Sequence, residues 1–243
     1  MTLDTGRMDE DRLHTLRRAL HSGDPATMVA AVADHGFTPS VQLVGDLLLL
    51  ALRSDAAGAR DLAAQCVAAL EARRWDGDLE LADALRGDTS PGADGATLID
   101  LPIDLDELSG ILEGDPMHGG GRVDLRTGEV WPQSTFDDGV LEEDEASDLE
   151  DPERWLTVWS HGSRDGYRDM VSFADSRTDP RLVDLLDAAL AGRGAFRRFR
   201  DVLLDFPHER AEWLAVSDDR QRGRARAWLA DAGFRAIFRR LGG

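Results

Sequence analysis

The sequence predicts an α+β protein in which a helical N-terminal array precedes a small antiparallel sheet of about three strands packed on a cluster of helices. Most of the chain carries apolar residues at helical spacing, separated by start and stop signals. Arg122–Trp131 contains two short runs of alternating character around Gly128, which predicts a β-hairpin. Trp155–Trp159 is apolar on both faces and predicts a third strand.

The N-terminal part, residues 1–87, predicts a series of short helices. Leu13, Leu16 and Leu20 form one apolar stripe, and Asp24 with the proline after it begins the next helix. The segment around this start has the spacing of one ankyrin-like unit, but no fixed period follows. We therefore expect an irregular helical-hairpin array, and a solenoid-like interaction surface is the alternative.

Residues 88–96 predict a linker, because they are small, polar and broken by proline, with no apolar face to bury. The domain boundary is placed here, so that residues 97–243 form the second, α+β domain. In this domain Asp104 begins a short helix through a capping box with Glu107. Residues 137–153 carry ten acidic and no basic residues, which predicts a solvated loop or a disordered excursion.

The remainder of the chain predicts helices. Apolar stripes run through Tyr167–Ala174, Leu182–Ala189 and Phe196–Phe206, with a break at Gly192–Gly194. Five of the six tryptophans lie from Trp131 onwards, which indicates that the larger core is in the second domain.

The helical pattern continues after this last stripe. Pro207 begins a helix that runs through Trp213, and Ser217 caps another helix that ends before residue 234. Residues 234–241 then form a final short apolar face within this helical region.

The chain is strongly acidic, with a formal net charge of −19, and all 28 of its basic residues are arginine. This balance disfavours broad, sequence-independent nucleic-acid binding, which depends on positive surface that releases counterions. A local basic face is compatible with it, because residues 191–243 contain 12 arginines and 7 acidic residues.

Neither a membrane segment nor a secretory signal is predicted. The longest uncharged apolar run, Leu47–Leu52, is far shorter than the roughly 20 residues that cross a bilayer. The N-terminus is acidic where a secretory signal is basic and then apolar. We therefore expect a cytoplasmic protein. Cys66 lies on one apolar helical face and is predicted to be buried in the core.

The first candidate site is an anion site formed by Arg193, Gly194, Arg197 and Arg198. A helix that begins near residue 195 points unpaired backbone N–H groups above Gly194, and the three guanidinium groups add contacts that suit phosphate. The alternative is structural, since the preceding glycine can end one helix and Arg197 can form an ion pair with Asp201 one turn later.

A second candidate is nucleic-acid recognition by the arginine-rich C-terminal region, with Phe and Trp side chains stacking on exposed bases. The same aromatic residues occupy positions that are predicted to face inward, so core packing is the alternative. The arginines concerned are Arg193, Arg197, Arg198, Arg200, Arg220, Arg222, Arg224, Arg226, Arg235, Arg239 and Arg240.

A third candidate is hydrolysis at His161, Ser163 and Asp165, although neighbours along a loop seldom meet in triad geometry. Ser163 capping the following helix is the alternative. The histidines are scattered, without a zinc-binding pair, and the sequence contains no phosphate-binding glycine motif. We therefore predict no catalytic residues, no metal and no cofactor.

Several ordered segments together resemble the bacterial group called uncharacterised protein family 0158. They are IDLDELSGILE, VDLRTGEVWP, YRDMVSFADS, LLDAALAGRGAFRRFRDVL and ERAEWLAVSDDRQRGRARAWLADAGF, with an acidic gap after the second. The resemblance covers about residues 99–234. It implies a cytoplasmic domain of a β-hairpin and helices, and it carries over no catalytic residue.

From the sequence we expect a non-enzymatic protein-binding or adaptor module whose N-terminal helices engage a protein partner. Nucleic-acid or phosphate-ligand binding through the arginine-rich helices after Gly192 is the alternative, with nucleic acid disfavoured by the net charge. A hydrolase whose site is assembled by the fold is the third hypothesis.

Overall fold

The computed structural model describes residues 5–87, 97–115, 117, 119–137 and 151–237. The predicted linker, residues 88–96, lies outside the described residues, as does most of the predicted acidic loop. The division into two domains at this linker therefore stays a prediction, and we refer below to the N-terminal helices and to the second part of the chain.

The described elements are five helices in the N-terminal part, followed by a second part in which short strands and helices are mixed. The N-terminal helices are α1 (Thr5–Ser22), α2 (Pro25–His35), α3 (Val41–Arg53), α4 (Ala59–Arg73) and α5 (Asp78–Arg86). The second part contains β1 (Ile99–Pro102), α6 (Leu105–Leu112), β2 (Gly121–Asp124), β3 (Val130–Pro132), α7 (Gln133–Asp137), β4 (Trp155–Val158), α8 (Arg164–Asp175), α9 (Pro180–Leu190), α10 (Ala195–Leu203), α11 (Pro207–Asp231) and β5 (Phe234–Ile237).

Local signals set the ends of the N-terminal helices, and α3 lies at their centre. Asp24 caps α2 by accepting a hydrogen bond from Thr27 N at 3.0 Å. The residues from Val41 to Leu48 are all buried, because α3 packs between α2 and α4. Cys66 is fully buried on α4, as predicted, and burial raises the pKa of its thiol to about 12.

The predicted three-stranded antiparallel sheet is present, with the strand order β3–β2–β4. Val123 of β2 lies opposite Val130 on one side and Leu156 on the other. The turn between β2 and β3 contains Gly128 at φ 76°, where a Cβ atom would lie 1.9 Å from Pro102 O. Glycine is therefore required at this turn for both conformational and steric reasons.

The structure also contains a parallel strand pair that the sequence pattern does not predict. β1 pairs with β5, with Ile99 opposite Phe234 and Pro102 opposite Ile237. The interpretation of residues 234–237 as part of a helical region is therefore wrong. The two strands are far apart in sequence, so neither segment alone carries a signal for the pairing.

α11 is one continuous helix, whereas the sequence predicts two helices with a cap at Ser217. Ser217 lies in the interior of this helix. The helix contacts α1, α3, α6 and β5, so it buries side chains on several sides. A helix surrounded in this way has no single apolar stripe, which is why its pattern suggests an interruption.

Three clusters of buried apolar side chains stabilise the described structure. The first lies within α1–α5, the second lies among the strands, α6 and the end of α11, and the third lies among α8, α9, α10 and the start of α11. In the third cluster Phe199 lies 4.9 Å from Trp213 and 6.1 Å from Phe173 between ring centroids. The prediction that these aromatic residues pack in a core is confirmed, and so is the α+β class.

None of the described helices is both long and apolar enough to span a membrane.

α11 approaches the turn before α5 so closely that only glycine fits on either side. A Cβ atom on Gly77 would lie 2.2 Å from Gly223 O, and a Cβ atom on Gly223 would lie 2.2 Å from Asp76 O. This contact between backbones fixes the distance between the N-terminal helices and α11.

We expect the substitution Gly223→Ala to lower the free energy of unfolding by about 1–3 kcal/mol or more, since the new methyl group overlaps a backbone oxygen. Gly110→Ala is the matched control, because no atom lies within 4 Å of its Cβ position in α6. The control should be neutral or stabilising by up to about 1 kcal/mol. Urea denaturation measures both values, and equal stability of the two variants would contradict the close contact.

Candidate functional site

A buried ion-pair network joins the N-terminal helices to α11, and Arg222 is its centre. The side chain of Arg222 donates through Nη1 to Asp46 Oδ2 at 2.8 Å and through Nη2 to Asp106 Oδ1 at 2.6 Å. Only 1% of Arg222 is exposed. Burial alone lowers the pKa of Arg222, but Asp46 and Asp106 raise it above its ordinary value, so the guanidinium stays charged. Arg222 therefore links α11 to both α3 and α6.

Arg226, one turn further along α11, binds the same face of α3. Its Nε donates to Gln42 Oε1 at 2.9 Å, and its Nη2 donates to Asp46. Gln42 in turn donates through Nε2 to Asp78 Oδ1 at 2.8 Å, at the first residue of α5. The side chains of Gln42, Asp46, Asp78 and Arg226 are all buried, so water cannot supply their hydrogen bonds. The network supplies those hydrogen bonds instead, and a buried polar atom without a partner would be destabilising.

Asp219 extends the network to the first turn of α3. It accepts a hydrogen bond from Gln42 N at 2.6 Å and contacts Arg73 Nη1 at 2.5 Å. Arg73 also donates to both carboxylate oxygens of Asp78, each at 2.8 Å. Burial raises the pKa of Asp219 to about 6, although Arg73 and the amide of Gln42 lower it.

Beside this network the junction opens into a groove that consists of two adjoining cavities of about 200 and about 240 Å³. Asp76 and Arg224 line both cavities. The first cavity, which we call the acidic end, lies between α6, the loop after β4 and α11. The second, which we call the arginine end, lies between α11 and the turn that joins α4 to α5.

The arginine end is built around one indole ring. Cζ of Arg220 and Cζ of Arg73 each lie 4.2 Å from the ring centroid of Trp75, a distance at which the cation is attracted to the ring. Arg220 also donates through Nη1 to Asp169 Oδ1 at 2.9 Å. These contacts hold the Arg220 guanidinium in a fixed position. The residues that line this end are Arg74, Trp75, Asp76, Arg220 and Arg224.

The acidic end carries an excess of carboxylates. Glu113 is bound by Arg224 Nε at 3.0 Å and by Gln221 Nε2 at 2.9 Å. Asp165 lies on the rim with Asp231, and the ring of Trp228 forms part of the wall. This end is therefore suited to a positively charged group with an apolar stem, and the groove as a whole has ends of opposite charge.

In the predicted anion site, one of the three arginines binds backbone carbonyl groups of the protein itself. Gly194 precedes α10 at φ 76°, so the predicted start of the helix is confirmed. Arg198, however, turns back onto the end of α9, where its Nε donates to Ala189 O at 3.1 Å and its Nη2 donates to Ala191 O at 2.5 Å. Arg198 thus satisfies carbonyl groups that the helix leaves unpaired.

The other two arginines of the predicted anion site lie at the surface. Arg197 pairs with Asp201 at 3.7 Å, which is the structural alternative that the sequence suggests. Arg193 is exposed in the turn before α10. Anion binding at this turn stays a prediction, with Arg193 and Arg197 as the side chains that can reach a ligand.

The wider set of C-terminal arginines does not form one exposed basic face. Arg222 and Arg226 are buried, and Arg220 and Arg224 are partly buried in ion pairs. The last two arginines of the set lie outside the described residues. The structure therefore places much of this positive charge inside the molecule.

His161, Ser163 and Asp165 do not form a catalytic triad. His161 and Ser163 are exposed, and within the described structure no hydrogen bond joins the three side chains. Ser163 occupies the N-cap position of α8, as predicted, but its hydroxyl makes no capping hydrogen bond. Among the described residues, no group of three or more His, Cys, Asp or Glu side chains could hold a metal ion.

The sequence points to the arginines of α11 as candidate nucleic-acid contacts, but it does not identify the residues that they meet at the junction. Asp46 has a signal that could reveal it, because it is the only charged residue between Val41 and Leu52, and a charge inside an apolar helix needs a partner. Arg74 and Trp75 have no such signal, since only the fold brings them to α11.

The structure is that of a mixed α+β protein with a groove where helices from the two ends of the chain meet. Residues 137–241 match the family described as Uncharacterised protein family (UPF0158). The match confirms the resemblance for β4, α8–α11 and β5. It begins after the β2–β3 hairpin, whereas the resemblance described from the sequence also includes that hairpin. Neither the curated proteins nor the solved structures give a match.

We expect Arg222→Met to lower the free energy of unfolding by about 1–3 kcal/mol, because it removes the buried cation that Asp46 and Asp106 share, although Arg226 still pairs with Asp46. Arg60→Met is the control, since Arg60 pairs with Asp55 at the surface and exposed pairs contribute little. Chemical denaturation measures both. If the two variants have similar stability, the buried network does not couple α3 to α11.

The raised pKa of Asp219 gives stability a defined dependence on pH. The folded state holds this proton up to about pH 6, whereas an unfolded aspartate releases it near pH 4. The contribution of Asp219 to the free energy of unfolding is therefore greatest below about pH 4 and falls as the pH rises to about 6.

We expect the stability of Asp219→Asn relative to the parent protein to rise over this pH range, by a few kcal/mol at most, at about 1.4 kcal/mol per pKa unit. Urea denaturation of both proteins between pH 3.5 and 7 measures the difference at roughly half-unit steps. A relative stability that moves in the opposite direction would show that the Arg73 pair outweighs burial.

Proposed function

We propose that the protein is a non-enzymatic binding module that engages another protein through the groove between the N-terminal helices and α11. The observation that carries this proposal is the pairing of opposite charges with aromatic rings along one groove. Trp75 stands at the arginine end and Trp228 at the acidic end. Tryptophan and arginine are the residues most enriched among those that dominate the energy of protein interfaces.

The size and rigidity of the groove support this proposal. Cavities of about 200 and about 240 Å³ are small for a cofactor, since typical ligand pockets measure roughly 300–1,000 Å³, but each accommodates one or two side chains. Arg220 and Arg224 share Asp169, so their guanidinium groups are ordered before a partner arrives. Ordering in advance lowers the entropy lost on binding.

Two large exposed apolar side chains lie close in sequence to residues that line the groove. Trp159 is 74% exposed just after β4, two residues before His161 of the acidic end. Leu79 is 50% exposed in the first turn of α5, three residues after Asp76 of the arginine end.

Nucleic-acid binding has less support than protein binding, because Arg222 and Arg226 form internal ion pairs with Asp46 and are not available at the surface. Retention on heparin across a salt gradient separates the two functions, since binding to a polyanion weakens steeply with salt.

The proposal predicts that a charge swap in the groove abolishes capture of the partner. Arg74→Glu combined with Asp231→Arg reverses one charge at each end and leaves the net charge unchanged. We expect affinity capture from a lysate of the source organism, treated with nuclease, to recover a defined protein with the parent chain and to lose it with this variant. Mass spectrometry of the captured proteins measures the result.

Arg197→Glu combined with Asp201→Arg is the control, since it swaps an exposed ion pair on α10 without touching the groove. It should capture the same protein as the parent chain. Loss of capture with this control and retention with the groove variant would transfer the binding surface to α10. Recovery that depends on intact nucleic acid would refute a direct protein partner.

A further inference from the structure

We infer that the arginine end of the groove is a binding site for a phosphoryl group. This inference deepens the proposed function, on which it rests for its biological use, by naming the chemistry of one group that the groove accepts. Three arginines and one aspartate line a cavity of about 240 Å³. Carboxylates pair with Arg220 and Arg224, whereas Arg74 forms no ion pair among the described residues and supplies the uncompensated positive charge. Guanidinium groups bind phosphate oxygens through paired, charge-assisted hydrogen bonds.

The conformation of Arg74 is the first observation that supports the site. Arg74 ends α4 at φ 54°, in the left-handed region that costs free energy for any residue with a Cβ atom. Where α2 and α5 end, the chain uses glycine at φ 69° and 70°, in Gly36 and Gly87. The helix end alone therefore favours glycine at position 74, and the arginine side chain that replaces it lines the cavity.

The second observation is that hydrogen-bond donors at this end remain available. The guanidinium of Arg74 makes one hydrogen bond within the described structure, from Nε to Glu71 O at 3.2 Å, which leaves its two terminal nitrogens for a ligand. Arg220 contributes charge rather than accessible donors, because its terminal nitrogens bind Asp169 and Ser172 and its Nε is buried. Arg224 is engaged by Glu113 and contributes charge rather than donors.

The third observation is that Trp75 positions a second guanidinium at this end. Its ring lies 4.2 Å from Cζ of Arg220 and follows Arg74 directly in the chain. Asp169 also binds Arg220, at 2.9 Å. Two guanidinium groups from different elements therefore converge on one cavity, which suits the tetrahedral arrangement of phosphate oxygens better than a planar carboxylate.

Isothermal titration calorimetry of the full chain with inorganic phosphate tests the inference, with chloride used to match the ionic strength. We expect saturable binding of phosphate and weaker binding of acetate. Arg74→Gly should bind phosphate about tenfold more weakly or not at all, which corresponds to the loss of one strong charge-assisted contact. The same variant should unfold at an equal or higher temperature, because glycine relieves the backbone conformation.

Arg53→Ala is the matched control, since Arg53 is an exposed arginine in the last turn of α3 that lines neither cavity, and this variant should leave phosphate affinity unchanged. The inference is overturned if the parent protein binds no phosphate, if Arg74→Gly binds as the parent does, or if Arg193→Ala, in the predicted anion site before α10, is the variant that loses binding. These measurements use no protein partner, so their outcome is independent of the capture experiment.

The source of the phosphoryl group is distinguished by a second titration. A peptide that contains phosphoserine is compared with the same peptide without the phosphate and with inorganic phosphate. Tighter binding of the phosphopeptide than of both others assigns the group to a phosphorylated side chain of the partner. Equal binding of phosphopeptide and inorganic phosphate assigns it to a small phosphorylated molecule, and equal binding of the two peptides contradicts the site.

Discussion

The arrangement of the whole molecule depends on the buried pair between Arg222 and Asp46. A charge without access to water is stable only beside an opposite charge, so the two helices that carry these residues can pack in few relative positions. The hydrogen bond between Arg226 and Gln42 limits the relative positions of the two helices further, since it joins specific atoms across the same α3–α11 interface. Such a network contributes less to net stability than its number of contacts suggests, but it strongly disfavours any alternative packing that leaves a charge unpaired.

The groove is a direct consequence of this constraint. Its arginine end combines a turn from the N-terminal helices with side chains from α11, and neither segment forms the cavity alone. The network beside it fixes the spacing, and the contact between Gly77 and Gly223 brings the backbones as close as they can approach. The ring of Trp75 contacts the guanidinium groups of both Arg73, which belongs to the buried network, and Arg220, which lines the groove.

The sequence predicts those parts of the fold whose causes are local. Asp24 and Asp104 mark helix starts that the structure confirms, and Gly128 marks a hairpin, because caps and turns involve residues only a few positions apart. The parallel pair β1–β5 was not predictable in this way, since its partners are remote in the chain.

The candidate site was less predictable than the fold. The arginine-rich stretch after residue 192 draws attention by its composition, yet Arg198 binds its own backbone there, while Arg74, an isolated member of a helical region, lines the groove. Composition counts charges but does not show which of them are neutralised inside the fold. Asp46 is the residue of the network for which the sequence itself indicates a buried partner, because it is a lone acid in an apolar helix.

The late position of α11 and β5 in the chain has a consequence for biosynthesis. The N-terminal helices leave the ribosome long before α11, so Asp46 must remain hydrated, without Arg222 and Arg226, while the intervening residues are translated. β1 likewise waits for a partner that is made near the end of translation. A nascent chain of this protein thus completes its junction only late in translation, and until then the surface that later encloses the groove is open to chaperones.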